Sequence, residues 1–253
     1  MGDVYRLLME ARQKRGGAFL LLIDPDRIPQ SDYLALAEAA HDCGVDALLV
    51  GTSFMLDGNF SEQLREIKAV AGVPVIIFPG AYTQITANAD AILFTSLISG
   101  RNPQYLIVEQ VKGAPFIKRA GLEAIPTGYM LIESGPLTSV QFISGSLPIP
   151  RNKPDIACAH ALAAQYLGMK LVYLEAGSGA QQAVPVEMVR SVASVLDVPL
   201  MVGGGLRTPQ DCAERIEAGA GFIVMGTQLE RTKGLSLLRE LTAASHPKET
   251  VSV

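Results

Sequence analysis

Eight short apolar runs punctuate the chain, one of them broken by Pro126 and Gly128, and each stops abruptly at Gly, Pro, Thr, Asp or Glu. They cover residues 18–23, 47–50, 73–78, 91–94, 124–132, 171–174, 199–202 and 222–225. Continuous apolar runs, as opposed to alternating ones, suit parallel strands that are covered on both faces. Helix-period segments separate most of them, for example around Leu34, Leu36, Ala37 and Ala40. Eight strand–helix units predict a closed (β/α)₈ barrel, since a doubly wound open sheet usually has fewer strands. At 253 residues the chain matches the roughly 250 typical of one such barrel, so a single domain over 1–253 is expected.

Two spans break the rhythm. Only residues 81–90 separate the third and fourth runs, too few for a crossover helix and its turns, which need at least about 10–12 residues. The third helix is therefore expected to be missing or replaced by an extended segment. Residues 134–154 are rich in Gly, Ser and Pro and read as a long functional loop over the barrel mouth, ahead of a helix over 155–167. Ser31 and Asp32 are expected to cap a helix that runs to His41.

Composition narrows the class. The chain is 49% hydrophobic and 18% charged, with a net charge of −4, which argues against a nucleic-acid binder. Cys43, Cys158 and Cys212 lie far apart, without metal-ligand spacing, and read as reduced buried thiols. No signal-like start or membrane-length apolar stretch occurs, so a cytoplasmic α/β enzyme or binding protein is expected. His41, His160 and His246 fall in or after helices and read as structural or surface residues.

In this fold chemistry gathers at the C-terminal strand ends. The last two runs end in Gly203-Gly204-Gly205 and Gly226-Thr227, a pairing that suits a phosphate, because glycines let backbone N–H groups approach an anion. Thr208 and Pro209 then start the next helix. The sixth run leads into Tyr173-Leu174-Glu175-Ala176-Gly177-Ser178-Gly179. Glu175 there reads equally as a proton acceptor beside the phosphate and as a structural carboxylate. Asp24 and Asp26 after the first run read either as donors to a Mg²⁺ that bridges to a diphosphate or as a helix-capping turn. Tyr129 reads as barrel core or as a ring near the substrate.

In their order along the chain, Asp24-Pro25-Asp26, Val50-Gly51-Thr52-Ser53, Phe78-Pro79-Gly80, the run from Pro150 to Asp155, the run from Tyr173 to Gly179, Val202 to Gly205, and Gly226-Thr227 resemble the geranylgeranylglyceryl phosphate synthases and the related heptaprenylglyceryl phosphate synthases. The resemblance covers residues 18–230 and points to the longer-chain archaeal and bacterial subgroup. It implies a modified barrel without the third helix, and a Mg²⁺-dependent transfer of a prenyl group from its diphosphate to sn-glycerol 1-phosphate, as in ether-lipid biosynthesis. It further implies that Asp24 and Ser53 hold the metal, and that Tyr173 to Gly179, Gly204, Gly205, Gly226 and Thr227 hold glycerol 1-phosphate. Glu175 would be the proton acceptor, and Tyr129 would stand near the developing allylic cation. A homo-oligomer, dimer or hexamer, and at most transient membrane contact are implied as well. Thr52 stands where relatives often have Gly, and Arg27 where Lys is common. Phe78, Phe94 and Tyr105 are the candidate walls of a prenyl groove in the gap left by the third helix. The competing expectations are another phosphate-binding barrel, of histidine or tryptophan biosynthesis, and a non-catalytic barrel that binds a phosphorylated ligand.

Overall fold

The eight apolar runs become strands that carry apolar residues on both faces of the sheet. A computed structural model of the chain describes residues 2–56, 58–226 and 234–248. In it the runs form β1 (Ala18–Ile23), β2 (Ala47–Val50), β3 (Val75–Ile77), β4 (Ala91–Leu97), β5 (Glu123–Leu131), β6 (Leu171–Glu175), β7 (Leu200–Gly203) and β8 (Phe222–Met225). Every neighbouring pair is parallel, and β8 pairs with β1 to close the barrel. Alternate residues of a strand serve two apolar clusters. Ala18 and Leu20 of β1 point into the barrel with Leu49, Ile76 and Leu93. Phe19, Leu21 and Ile23 point outward beneath the helices, with Leu48, Leu64 and Leu174.

The helices are α1 (Asp3–Arg15), α2 (Gln30–Ala39), α3 (Phe60–Val70), α4 (Glu109–Ala120), α5 (Ser139–Ser144), α6 (Pro154–Tyr166), α7 (Val186–Val195), α8 (Pro209–Glu217) and α9 (Leu235–Ser245). Between β3 and β4 there is only a turn of 3₁₀ helix, Tyr82–Gln84, as the short span requires. A π-helical turn, Gln104–Val108, precedes α4. Its carbonyls find side-chain donors: Gln110 Nε2 bonds Tyr105 O at 3.0 Å and Ser96 Oγ bonds Leu106 O at 2.7 Å. Among the described residues no helix is long and apolar enough to cross a membrane.

Several local expectations are corrected. Ser31 and Asp32 cap nothing: α2 starts at Gln30 behind Pro29, without a side-chain cap, and ends at Ala39. The 134–154 connection carries α5, opened by a Thr138–Gln141 capping box, where only a loop is expected. Cys43 and Cys212 are buried, but Cys158 is half-buried. Thr208 does cap α8, its hydroxyl accepting from Asp211 N at 3.1 Å. His246 is buried against Asp46 at 2.9 Å, whereas the ring of His41 stands in solvent.

The sequence reading does not foresee α1. It inserts Val4, Tyr5 and Leu8 into the inner cluster and so plugs the N-terminal end of the barrel. Gly2 at its N-cap has no side chain to satisfy the first N–H groups. Glu123, at the start of β5, supplies the acceptors from across the fold, to Val4 N at 2.7 Å and Tyr5 N at 3.1 Å. A negative carboxylate there also complements the positive end of the helix. Glu123→Ala is expected to lower unfolding free energy by about 1 kcal/mol, the usual loss for a removed N-cap. Urea denaturation measures this, and an unchanged midpoint would show that α1 needs no such cap.

Candidate active site

Parallel pairing sets the depth of each side chain at the C-terminal mouth. Glu175, the last residue of β6, is level with Leu131 of β5 and Gly203 of β7. Tyr173 lies two residues deeper, level with Tyr129 of β5 and Met201 of β7. Because side chains alternate, Tyr173 and Glu175 face the same way, and both line a cleft of about 1720 Å³, counted out to its open mouth. Tyr129, Tyr173 and Phe78 form an aromatic cluster below the carboxylate. The Tyr129 ring meets Phe78 edge-on at 5.7 Å and Tyr173 edge-on at 5.3 Å.

Glu175 is buried, and its Oε1 accepts the Gly177 N–H at 2.5 Å. Burial pushes its pKa up, opposed by the Tyr173 hydroxyl and the Gly177 N–H. The Tyr173 oxygen makes no hydrogen bond of normal geometry, yet it is close enough to sense the carboxylate. Burial, with the charge of Glu175 second, holds both the Tyr129 and Tyr173 hydroxyls far above their ordinary pKa. These tyrosines are therefore neutral, and Glu175 is the group beside them that titrates.

Beside Glu175 the chain after β7 turns through Gly204 and Gly205, at φ +77° and +70°. A β-carbon on Gly204 would stand 2.3 Å from Glu175 Oε1 and 2.6 Å from Gly177 N, so only glycine allows this approach. Among the described residues nothing accepts a hydrogen bond from the N–H groups of Gly204 or Gly205. Ser178, Gly179 and Gly226 complete this end of the cleft. Thr227 lies outside the described residues. Leu174 and Ala176 turn into the helix-facing core, so any part they take in holding a ligand falls to their backbone. Arg207, not singled out from sequence, also lines this end and bonds Ala180 O at 3.3 Å.

Asp24 and Ser53 line the opposite rim, after β1 and β2. Asp24 is buried and receives Arg27 Nε at 2.9 Å and Asp26 N at 3.2 Å. Burial raises its pKa, against the pull of Arg27 and then of the Thr52 hydroxyl. Asp26 is not a helix cap: its Oδ2 accepts Leu56 N at 2.8 Å and ties the β1 loop to the β2 loop. Thr52 is braced by Gln84, whose amide donates to Thr52 O at 2.9 Å. Among the described residues no group of three His, Cys, Asp or Glu could hold a metal. One carboxylate and one hydroxyl at the rim of the cleft still fit Mg²⁺, which takes most of its ligands from water and substrate phosphates.

The cleft has a second, apolar half. Phe78, Phe94 and Tyr105, the expected groove walls, all line it, joined by Tyr82, Ile85, Ile92, Gly113 and Ile117, which the sequence reading passes over. Phe78 and Tyr105 belong to the inner cluster, whereas Phe94, Ile92 and Ile117 belong to the helix-facing one. The cleft thus leaves the barrel mouth and runs down the outer face of β4, where a third helix would otherwise pack.

The profile of the PcrB family matches residues 9–244. The chain belongs to the PcrB family. It is 45% identical to the geranylgeranylglyceryl phosphate synthase of Thermococcus gammatolerans over 241 residues, 95% of this chain and 94% of that one. It is 44% identical to the same-named protein of Spirosoma linguale over 218 residues, 86% and 88% of the two chains. Among solved structures, the Thermoplasma acidophilum (S)-3-O-geranylgeranylglyceryl phosphate synthase in complex with its substrate sn-glycerol-1-phosphate superposes with a TM-score of 0.90. It is 36% identical, with 97% of this chain and 99% of that one covered. Tryptophan synthase from M. tuberculosis reaches a TM-score of 0.61 at 16% identity over 97% and 98% of the chains, which reflects the shared barrel fold alone.

In this PcrB-family chain the unpaired Tyr173 hydroxyl makes a specific prediction. Tyr173→Phe removes a buried oxygen that lacks a full hydrogen bond, so it is expected to change unfolding free energy by less than about 1 kcal/mol. A larger loss in thermal denaturation would mean that the hydroxyl holds a strong bond to Glu175.

Proposed function

We propose that this PcrB-family protein transfers the geranylgeranyl group of geranylgeranyl diphosphate to the hydroxyl of sn-glycerol 1-phosphate, releasing diphosphate. One observation carries the reading: a single cleft joins a glycine turn suited to an anion, a buried carboxylate and a long apolar groove. The relatives named geranylgeranylglyceryl phosphate synthase support it. The binding of sn-glycerol-1-phosphate by the Thermoplasma acidophilum enzyme supports the acceptor.

In this reading the N–H groups of Gly204, Gly205 and Gly226 and the turn from Gly177 to Gly179 hold the phosphate. The acceptor hydroxyl then lies beside Glu175. Holding two reactants in line in this way contributes up to about 7–11 kcal/mol of the barrier. The bond between the allylic carbon and the diphosphate oxygen breaks, the hydroxyl oxygen bonds that carbon, and the hydroxyl proton passes to Glu175. The ring faces of Tyr129 and Phe78 stabilise positive charge that develops on the allylic carbon. Asp24, with Ser53, would hold Mg²⁺, which when bound neutralises the leaving diphosphate. Arg27, already paired with Asp24, keeps that carboxylate aimed across the cleft. The apolar groove along β4 receives the prenyl tail.

A cytoplasmic location and a homo-oligomer, dimer or hexamer, belong to the same reading. Val111 and Phe116, exposed on α4, supply apolar surface for a partner copy to bury.

The assay is product formation from glycerol 1-phosphate and geranylgeranyl diphosphate with Mg²⁺. Glu175→Gln is expected to fold normally and to lose about 10²–10⁴ in kcat. Near-normal turnover would remove Glu175 as the base. Burial raises the Glu175 pKa, so the group is still protonated at a pH where an exposed glutamate, at about 4.3, has ionised. Activity should therefore rise with pH along a limb whose midpoint lies above that value. The sign for stability is opposite. The folded state holds this proton more tightly than the unfolded chain, so Glu175's contribution is greatest below the ordinary glutamate pKa and is lost as pH rises through the folded one. Chelation by EDTA should stop turnover and added Mg²⁺ should restore it; full activity in EDTA would rule out the metal.

A further inference from the structure

Resting on the prenyltransferase reading, we infer that Arg151 is a positioning residue, which sets the phosphate-holding glycine turns from the far side of their loop. It stands in the run from Pro150 to Asp155, to which the proposed reaction assigns no part. Arg151 does not line the cleft, so it acts through other groups.

Backbone pairing places the run. Ile149 forms a parallel bridge beside Ile132, with Ile149 N on Leu131 O at 2.8 Å and Glu133 N on Ile149 O at 2.9 Å. The chain then turns, Lys153 N reaching Pro150 O at 3.0 Å, before Pro154 opens α6. Pro150 and Pro154 fix φ on both sides of this turn. Arg151 is thereby held over Glu133, whose carboxylate accepts Arg151 N at 3.3 Å.

The loop between β6 and α7 carries the Gly177–Gly179 turn, and its buried carbonyls need donors. Side chains supply them. Ser134 Oγ donates to Ala176 O at 2.6 Å, Arg207 to Ala180 O at 3.3 Å, Arg151 to Ala183 O at 2.9 Å and Arg215 to Val184 O at 3.2 Å. Arg207 lines the cleft itself, so its effect on a ligand would mix direct contact with bracing. Arg151 braces alone and spans two loops: the same Nη1 also donates to Glu133 O at 3.0 Å. Next to it, Gln182 N donates to Ser134 O at 3.3 Å. Gln182 and Ala183 are thus tied to the chain just after β5.

The glycine turn after β7 rests against those same two residues. A β-carbon on Gly205 would stand 2.8 Å from Ala183 N and from both C and O of Gln182. At the start of the loop, Gly177 N lies 2.6 Å from the corresponding point on Gly204. The seat of the Gln182–Ala183 peptide therefore decides where both glycine turns sit, and Arg151 fixes that peptide.

Arg151→Met keeps most of the stem and removes both bonds. A misplacement of about 1 Å can cost about 10²-fold in rate. The variant is therefore expected to lower kcat/KM for glycerol 1-phosphate by about tenfold to 10²-fold. Calorimetry with glycerol 1-phosphate and no donor should show binding weaker by about tenfold. The KM for geranylgeranyl diphosphate should not move, because its tail lies at the other end of the cleft. Arg151→Lys, which keeps a charged donor, should recover part of the loss and guards against a folding defect. The ratio of the Met variant to the unaltered protein should persist at about 1 M salt, where charges are screened within about 3 Å. A ratio that collapses there would show that Arg151 acts by charge alone and would overturn the positioning role. Unmoved binding of glycerol 1-phosphate in Arg151→Met, or KM values for the two substrates that rise together, would overturn it as well. Lack of product from the unaltered protein with every prenyl diphosphate would instead overturn the synthase reading, and the calorimetry would still decide the role of Arg151.

Discussion

A parallel strand that is apolar on both faces must be covered on both, because apolar area left in water costs about 25 cal/mol per Å². Most of the strands meet this demand with helices and loops of ordinary kind. On the outer side of β3 and β4 the chain supplies only a 3₁₀ turn, so part of the outer face of β4 is left facing a cleft. Everything specific to this barrel follows from that uncovered strip. Gln84, Glu109 and the π-helical turn exist to brace its edges. The strip joins the mouth of the barrel at Phe78, which brings apolar surface within reach of a buried carboxylate.

The opposite end of the cleft depends on a single backbone conformation. Gly204 passes so near Glu175 that any side chain would strike the carboxylate. The N–H groups of the same left-handed turn find no acceptor among the described residues. Burial and close packing thus serve two purposes at once: they raise the proton affinity of Glu175 and place it against the glycine turn that follows β7. The aromatic cluster of Phe78, Tyr129 and Tyr173 stands between this polar end and the apolar strip.

The barrel was legible because its signal is periodic: eight apolar runs and one span too short for a helix. Phe78, Phe94 and Tyr105 stood out as groove walls only once the resemblance called for a groove beside that span, and all three do line the cleft. What stayed hidden depends on contacts between residues distant in sequence. The helix α1 has no N-cap of its own and takes its acceptors from Glu123, which no local pattern reveals. Neither Gly113 nor Ile85 stands out in sequence, and only the fold brings them together across α4 and the 3₁₀ turn. Asp26 looked like a cap because it precedes α2, yet it bonds Leu56 in the next loop. The tightest part of the site, the run from Tyr173 to Gly179, was visible as a resemblance, but the outward turn of Leu174 and Ala176 needed the register of β6.

The plug formed by α1 also bears on how the molecule comes together. Its first turn is held by Glu123, and the Tyr5 hydroxyl reaches Lys170 O, 165 residues away, at 3.1 Å. The docking of this helix is thus completed only by β5 and by the residue just before β6. Contacts of such long sequence separation close slowly, because the intervening chain must be ordered first. The floor of the barrel is therefore sealed by contacts of high sequence separation, like the β1–β8 pairing that closes the sheet and unlike the pairing of the other strands with their sequence neighbours.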